Sequence, residues 1–380
     1  MAAKRRMKAA AMLAPLVAGA LTLAACGSSS GGSSGGEVGS KEFPASVFPK
    51  STFGGLSGSL TMYDASGGEV TAARTATIQK RFAQLTGVKV VPDFSPNITK
   101  FLASEQAGQV PWSVVEMSSK ADVLRATKAG YLQKLDTSKV PLDKLKEGTY
   151  TDYAIPQQLF GFILVYNKKK WPDSAKHPTS ATDIFDTKDF PGKRCLSKYP
   201  QFGGTLETAL LADGVSRENL YPLDVNRAIA KLDTIKKDIV WWNDGASSVR
   251  YLTTGECDMG IIWSGRAYAA ISQGADLGFT WNDGGWTNSY YGIPKGAPNT
   301  AAGEAFLAMN LLDKKSVIAL TDKIPYPTPL KDIQISEFSP KVGPFLPLGE
   351  NIKNSYTEDE DYYVANIDKI LKVFNSWLAE

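Results

Sequence analysis

Strand-like and helix-like runs alternate along most of the chain after residue 58, and this alternation limits the fold more than any other feature. One segment, residues 69–85, carries Ile78, Phe82 and Leu85 at helical spacing, and Gly87 ends it. The alternation is typical of α/β architecture. The predicted strands are residues 59–63, 88–91, 113–116, 160–166, 193–196, 259–263 and 291–294.

A length of 380 residues is large for a single core, and it suits two lobes. Two tracts interrupt the pattern: residues 167–178 are dense in Lys and Pro, and residues 281–288 are rich in Gly, Asn and Trp. The sequence shows no internal repeat. We therefore predict two lobes joined by crossing strands, with a ligand cleft at the carboxyl ends of the strands.

The N-terminus has the pattern of a secretory signal peptide, predicted over residues 1–25. A basic start precedes an apolar run, residues 9–25, that ends in Leu23-Ala24-Ala25-Cys26. The alternative, an uncleaved membrane anchor, requires a longer apolar run. The motif resembles the bacterial lipobox, which implies that Cys26 is acylated. Residues 27–36 contain only Gly and Ser, so residues 26–58 are interpreted as a flexible tether or, alternatively, as an incidental disordered tail.

The chain has 42 basic and 39 acidic residues, a net charge of +3. Removal of a leader that carries four of the basic residues leaves the mature chain at −1. No basic stretch with interleaved aromatic residues remains, so nucleic acid is not an expected partner.

The cysteines that remain after Cys26 are Cys195 and Cys257. An even pair in an exported protein favours a disulfide, with two free buried thiols as the alternative. The single histidine, His177, lies in a polar segment, and two cysteines alone make a poor ligand set, so no metal site and no cofactor are expected.

The chain from residue 60 onward resembles the extracellular solute-binding proteins of the spermidine/putrescine-binding type. Four stretches in the expected order carry this resemblance: residues 82–90, residues 182–186 with 190–193, residues 252–269, and residues 291–299.

The resemblance implies a type II periplasmic-binding-protein-like fold with two hinged α/β lobes. Lobe 1 would comprise residues 59–164 plus 288–326, and lobe 2 residues 165–287 plus 327–380. It also implies a monomer that delivers its ligand to a membrane permease driven by a cytoplasmic ATPase.

Trp263 and Trp286 match positions where polyamine-binding relatives place aromatic walls. Aromatic faces attract cations, by about 0.5–2 kcal/mol each. Taken alone, each tryptophan is more often a core residue than a ligand wall, and the match to the relatives favours the wall. Tyr290 and Tyr291 are neighbours in a predicted strand, so one faces the cleft and the other the core.

The departures from the family pattern concern the acidic residues that hold amines. A buried ammonium needs a charge partner. Asn288 stands at one carboxylate position, and Gln201 and Gly204 lie near others. The aromatic and acidic positions after the first strand are here Ala65, Gly67 and Gly68. A long polycation would find few counter-charges.

Other features favour a ligand with some negative charge. The Ser66-Gly67-Gly68 and Gly203-Gly204-Thr205 turns each precede a predicted helix, where bare N–H groups can bind an anion. Arg266 could bind a carboxylate in bidentate fashion. Ordinary capping of the helix and a solvated surface arginine are the alternatives. The sequence therefore predicts a small amine or zwitterion, such as a short diamine or an ω-amino acid.

Rival functions have weaker support. A hydrolase would need a nucleophile with its base, and the chain has one histidine and, beyond the Gly/Ser-only segment 27–36, no Gly-x-Ser-x-Gly motif. A ferric-iron or anion binder of the same fold would use tyrosinates such as Tyr290 and Tyr291, but neighbouring strand residues cannot both ligate one ion without a bulge. A scaffold or sensor that binds a partner through its closed form would share the cleft.

Overall fold

The computed structural model describes residues 50–95 and 97–380, with the side chains of residues 50 and 51 excepted. These residues belong to one compact unit. The predicted signal peptide, the lipobox cysteine Cys26 and the Gly/Ser-rich segment lie outside the described residues. In the described ranges, no helix has both the length and the apolar character that crossing a bilayer requires.

The described residues form one mixed sheet of nine strands, in the order β2-β1-β3-β8-β4-β7-β5-β6, with β9 paired to β8. The alternation in the sequence is thereby confirmed as α/β architecture. The strands are β1 (Ser59–Asp64), β2 (Lys89–Phe94), β3 (Val114–Met117), β4 (Ala154–Asn167), β5 (Arg194–Ser197), β6 (Ile239–Trp242), β7 (Met259–Trp263), β8 (Leu277–Gly292) and β9 (Tyr356–Thr357).

Parallel strands lie at both ends of the sheet, and two long antiparallel strands cross its centre. β1 is parallel to β2 and β3, and β5 is parallel to β6 and β7. β4 and β8, of 14 and 16 residues, pair with each other along most of their length. β3 ends opposite Tyr290 of β8, and β7 ends opposite Phe162 of β4. The carboxyl ends of the parallel strands from both sides therefore lie beside the middle of the two long strands.

Helices cover the sheet. The predicted helix over residues 69–85 is present, but a π-helical turn, Thr75–Gln79, divides it. Gly87 ends it in the left-handed conformation, as expected for a C-terminal glycine. The α-helices are α1 (Lys50–Phe53), α2 (Gly68–Arg74), α3 (Lys80–Thr86), α4 (Thr99–Gln106), α5 (Lys120–Lys128), α6 (Thr205–Ala212), α7 (Val225–Asp233), α8 (Gly245–Thr254), α9 (Ser264–Ser272), α10 (Thr300–Leu312), α11 (Lys314–Thr321) and α12 (Glu360–Leu378).

The apolar core is divided along the long strands. Ile155 and Leu159 of β4 pack with the residues around β1 and α10, whereas Phe160 and Phe162 pack with the residues around β5, β7 and α12. The change between clusters thus falls between Leu159 and Phe160, earlier than the predicted lobe boundary after residue 164.

Cys195 and Cys257 form a disulfide with a Cα–Cα distance of 5.8 Å. It joins β5 to the residues that lead into its neighbour β7. Gly260 allows this close pairing, because a Cβ there would lie 2.7 Å from the Cβ of Cys195. The disulfide therefore fastens two adjacent parallel strands.

Candidate ligand-binding site

Four aromatic side chains meet where the long strands pass the carboxyl ends of β5 and β7. The ring of Phe160 lies 6.3 Å from that of Phe202 and 6.2 Å from those of Trp263 and Tyr326. Phe202 and Trp263 remain partly exposed. We call Phe160, Phe202, Trp263 and Tyr326 the aromatic box. Flat apolar walls of this kind can replace the hydration shell of a small ligand.

Phe202 is held by hydrogen bonds through its backbone. Its φ of 63° is unusual for a bulky residue, and such strain concentrates at functional sites. Its carbonyl accepts a hydrogen bond from the Trp263 indole Nε1 at 2.6 Å, and its N–H donates to Oε2 of Glu358 at 2.9 Å. The box wall is thereby linked to a buried carboxylate.

Arg266 lies beside the box, one turn into α9 from Trp263. Its side chain is 26% exposed, and its guanidinium lies 3.9 Å from Oε2 of Glu69, which belongs to α2. Glycine at position 265 is required for the packing, because a Cβ there would overlap the ring of Tyr326. Burial raises the pKa of Tyr326 to about 12, and the positive charge of Arg266 opposes that rise. Arg266 is therefore a partly solvated cation at the edge of an apolar surface.

The start of α2 does not offer the anion site predicted at Ser66 and Gly67, because the protein's own carboxylates occupy its donors. The N–H groups of Ser66 and Gly67 donate to Oδ1 of Asp64 at 2.9 and 3.1 Å. The N–H of Ala65 and the hydroxyl of Ser66 donate to Glu116 at 2.9 and 2.6 Å.

Arg74 compensates these two carboxylates. Its guanidinium, 1% exposed, donates to both oxygens of Glu116 at 2.8 Å and lies 3.6 Å from Asp64. Burial by itself would raise the pKa of Asp64, but Arg74 and the hydrogen bonds around the carboxylate lower it overall. We call Asp64, Glu116 and Arg74 the paired network.

The box residue Phe202 lies in the same short segment as three predicted ligand-binding residues, Gln201, Gly204 and Thr205. The Thr205 hydroxyl donates to the Ser197 carbonyl at 3.1 Å, and Gly204 adopts a φ of 65° at the start of α6. The Nε2 atom of Gln201 is buried without a hydrogen-bond partner. The Tyr356 hydroxyl, also buried, lies 2.6 Å from the position that a Cβ of Gly204 would take.

Trp286 does not join Trp263 in a wall of the box. Trp263 is paired with Phe162 across β4 and β7, so it shares the face of Phe160 and Phe162. Trp286 is paired with Gly161, the residue between them, so it lies on the opposite face and packs with the core around β1 and α10. The predicted pair of tryptophan walls is not formed, because side chains alternate along a strand.

Asn288 and Tyr290 contact Glu360 instead of the box. The Tyr290 hydroxyl donates to Oε2 of Glu360 at 2.5 Å, and Nδ2 of Asn288 lies 3.4 Å from the same atom. Tyr290 and Tyr291 are both buried, and Tyr291 lies against Arg74, 5.7 Å from ring centroid to guanidinium carbon. Neither tyrosine opens to the box, and the adjacent pair cannot ligate one iron.

Sequence reasoning missed Phe160, Phe202, Tyr326 and Glu358. A signal was present for Tyr326, since it stands between Pro325 and Pro327, which hold the chain extended. Within the described part of the chain, no group of three or more His, Cys, Asp or Glu side chains could hold a metal ion.

Comparison with known proteins identifies the family. Residues 76–342 match the family described as bacterial extracellular solute-binding protein. A γ-aminobutyric acid-binding protein of Pseudomonas aeruginosa is 31% identical over 82% of this chain and 89% of its own length. The spermidine/putrescine-binding periplasmic protein of Escherichia coli is 25% identical over 74% of this chain and 82% of its own length.

The solved structures agree with this assignment. An ABC transporter substrate-binding protein from Bradyrhizobium japonicum superposes with a TM-score of 0.77 and 31% identity, covering 84% of this chain and 99% of its own. An iron-bound protein of Pseudomonas aeruginosa, 16% identical with a TM-score of 0.65, shows the fold alone. The type II binding-protein fold is confirmed, and the chain belongs to the bacterial extracellular solute-binding protein family as the substrate-binding protein of an ABC transporter.

Proposed function

We propose that the protein captures a small zwitterion, an ω-amino acid such as 4-aminobutyrate, in the aromatic box and delivers it to an ABC permease. The observation that carries this proposal is the placement of Arg266 beside the box, where its partly exposed guanidinium can bind a carboxylate. The curated relative at 31% identity is named for γ-aminobutyric acid, which supports the same ligand class.

A polycation fits this site less well than a zwitterion. Arg266 would repel an ammonium group placed at its end of the box. The relative named for spermidine and putrescine is more distant, at 25% identity. Polyamines and short diamines are therefore competitors in the test and not the expected ligands.

Closure of two lobes would bring the binding surfaces together. Val70 of α2 packs in the same apolar cluster as Phe160 and Tyr326, and Glu69 of α2 approaches Arg266 of α9. These contacts join the β1 side of the molecule to the β7 side. With the core boundary placed after Leu159, they support two lobes related to those predicted, residues 59–164 plus 288–326 and residues 165–287 plus 327–380. Leu330, Val342 and Leu348 pack with the core around β1 and α10, however, which favours lobe 1 for this part of the second range.

The same proposal includes export and anchoring. The basic start, the apolar run and Cys26 support cleavage after residue 25 and acylation of the cysteine. The tether at the cell membrane would be shorter than the predicted residues 26–58, because Phe53 of α1 is buried in the core around β1 and α10. The protein would act as a monomer outside the cytoplasm and release its ligand chemically unchanged. Fractionation of cells that carry a Cys26→Ser variant should show loss of membrane association.

Titration calorimetry of the mature protein tests the ligand. We expect 4-aminobutyrate to bind more tightly than putrescine or spermidine. Arg266→Ala should weaken 4-aminobutyrate binding about 10- to 100-fold, because a charge-assisted hydrogen bond is lost. Arg217→Ala removes an arginine of similar exposure that pairs with Asp283, away from the box, and should leave affinity unchanged. Preferred binding of spermidine would contradict the proposal.

A further inference from the structure

Two buried carboxylates behind Phe202 lack a cationic partner. Glu207 and Glu358 are 0% and 2% exposed. One oxygen of Glu207 accepts hydrogen bonds from the hydroxyls of Tyr221 and Tyr363 at 2.8 and 2.7 Å, and its other oxygen has no partner. Oε2 of Glu358 accepts from the Phe202 N–H, and its Oε1 has no partner. We call Glu207 and Glu358 the acid pair.

The groups that face Glu358 are acids and phenols. Glu207 of α6 and Glu360 of α12 act on it electrostatically, and it acts in turn on Tyr221, Tyr356 and Tyr363. No lysine or arginine of the described residues is among the groups that shift the pKa of either acid. Burial and the proximity of Glu207 raise the pKa of Glu358 well above its usual value.

Two unpaired polar atoms lie on either side of Phe202. Oε1 of Glu358, whose other oxygen is bonded to Phe202, and Nε2 of Gln201, the residue before Phe202, are both buried without a hydrogen-bond partner. The Thr287 hydroxyl also faces the Glu358 carboxylate. Buried polar groups normally have partners, and each unpaired one is costly. An acid without a counter-ion beside an unpaired amide favours a polar ligand group that completes them.

The register of the strands places this oxygen at the aromatic box. Thr287 is paired with Phe160 across β4 and β8, so both side chains lie on the face that carries the box. Glu358 follows β9, and its N–H donates to the Trp286 carbonyl at 3.0 Å. Phe202 then lies between Glu358 and Trp263, bonded to both. Phe160 contacts both Phe202 and Tyr326, and Arg266 lies beside Tyr326.

We propose that Glu358 binds the ammonium group of the ligand, at the end of the aromatic box opposite Arg266. This inference rests on the proposed zwitterionic ligand. The faces of Phe160 and Phe202 flank the ammonium group and add a cation–π contribution. Glu207 is a positioning residue that keeps Glu358 protonated while the site is empty. When the ammonium arrives, Glu358 releases its proton to solvent and the carboxylate pairs with the ligand cation.

Glu358→Gln is the decisive variant, because glutamine has the shape of the protonated acid and should preserve the fold. We expect 4-aminobutyrate affinity to fall about 10- to 100-fold, whereas butyrate, which has no amine, should bind the variant and the wild type equally. Glu360→Gln is the matched comparison, since Glu360 is a nearby acid whose oxygens are occupied by Tyr290 and the Lys120 N–H. It should not change the affinity.

Proton release separates a binding role from a structural one. Calorimetric titrations in buffers of different ionisation enthalpy should show net proton release on 4-aminobutyrate binding to the wild type at pH 7. Glu358→Gln should abolish this release. Glu207→Gln should reduce it while retaining binding, because Glu358 would then be more fully ionised beforehand.

The possible results separate failure of the Glu358 inference from failure of the proposed function. Wild-type binding of 4-aminobutyrate with unchanged affinity and proton release in Glu358→Gln would overturn this inference and leave the proposed function intact; the unpaired atoms would then hold water only. A loss of 4-aminobutyrate affinity in Glu360→Gln alone would also overturn it, and would place the ammonium site at Glu360. Failure of the wild type to bind any ω-amino acid would instead overturn the proposed function itself.

Discussion

Asp64 and Glu116 are buried as deeply as Glu207 and Glu358, but the two pairs of carboxylates are treated in opposite ways. The paired network brings Arg74 to Asp64 and Glu116, together with backbone N–H groups from the start of α2. The acid pair has phenol hydroxyls, one backbone N–H and unpaired oxygens.

The difference separates a structural network from a binding one. The Arg74 guanidinium also donates to Gln157 and Gln158 of β4, so the paired network ties α2, β1 and β3 to a long crossing strand. All four of its carboxylate oxygens accept hydrogen bonds from groups inside the protein, so it has no need of a ligand. The acid pair has no cation of the protein beside it, and a ligand cation in the aromatic box can supply the balancing positive charge.

Removal of Arg74 should have the largest effect on stability. Arg74→Met leaves Asp64 and Glu116 buried without their cation, and we expect a loss of about 3–5 kcal/mol in the free energy of unfolding. Urea denaturation measures this loss. Arg227→Met, which removes an exposed partner of Asp213, should cost less than about 1 kcal/mol. Similar small losses in both variants would show that the paired network is not the structural element described.

The two pairs should respond to pH with opposite signs. Asp64 has a lowered pKa, so its contribution to stability is present above its usual pKa near 3.8 and is lost as the pH falls. Glu207 has a raised pKa, so its contribution is present below its usual value near 4.5 and is lost as the pH rises through the folded-state pKa.

Glu207→Gln should therefore stabilise the ligand-free protein at pH 8, by about 1–3 kcal/mol, and leave stability near pH 4 little changed. Asp64→Asn should destabilise the protein at pH 8, and the variant should lose less stability than the wild type as the pH falls to acid values. Thermal unfolding from pH 3 to pH 9 measures both slopes. Parallel pH profiles for the two variants would contradict the contrast between the pairs.

Ser66→Ala should have the smallest effect. Its hydroxyl bonds to Glu116 within the paired network, so we expect a loss of about 1 kcal/mol in stability and no change in ligand affinity. Calorimetry on the folded variant checks the second part. A tenfold loss of affinity with unchanged stability would restore the anion site that the sequence suggested.

The local pattern predicted much of the fold. Apolar spacing located the helix over residues 69–85, and Gly87 marked its end, because both depend on neighbours within a few residues. The π-helical turn over Thr75–Gln79 was not predictable in this way. It follows directly after Arg74, whose guanidinium bonds to Glu116, a residue 42 positions away in the sequence.

The sequence by itself determined the α/β class and the family, because these follow from local periodicity and from stretches that occur in the family's order; the roles of Trp263 and Arg266 stay predictions. Only the tertiary structure decided that Trp286 lies on the opposite face, that the donors at Ser66 and Gly67 are occupied, and that Glu358 reaches the box from near the C-terminus. Strand register and buried charge pairing join residues distant in the chain, and a linear pattern does not record such contacts.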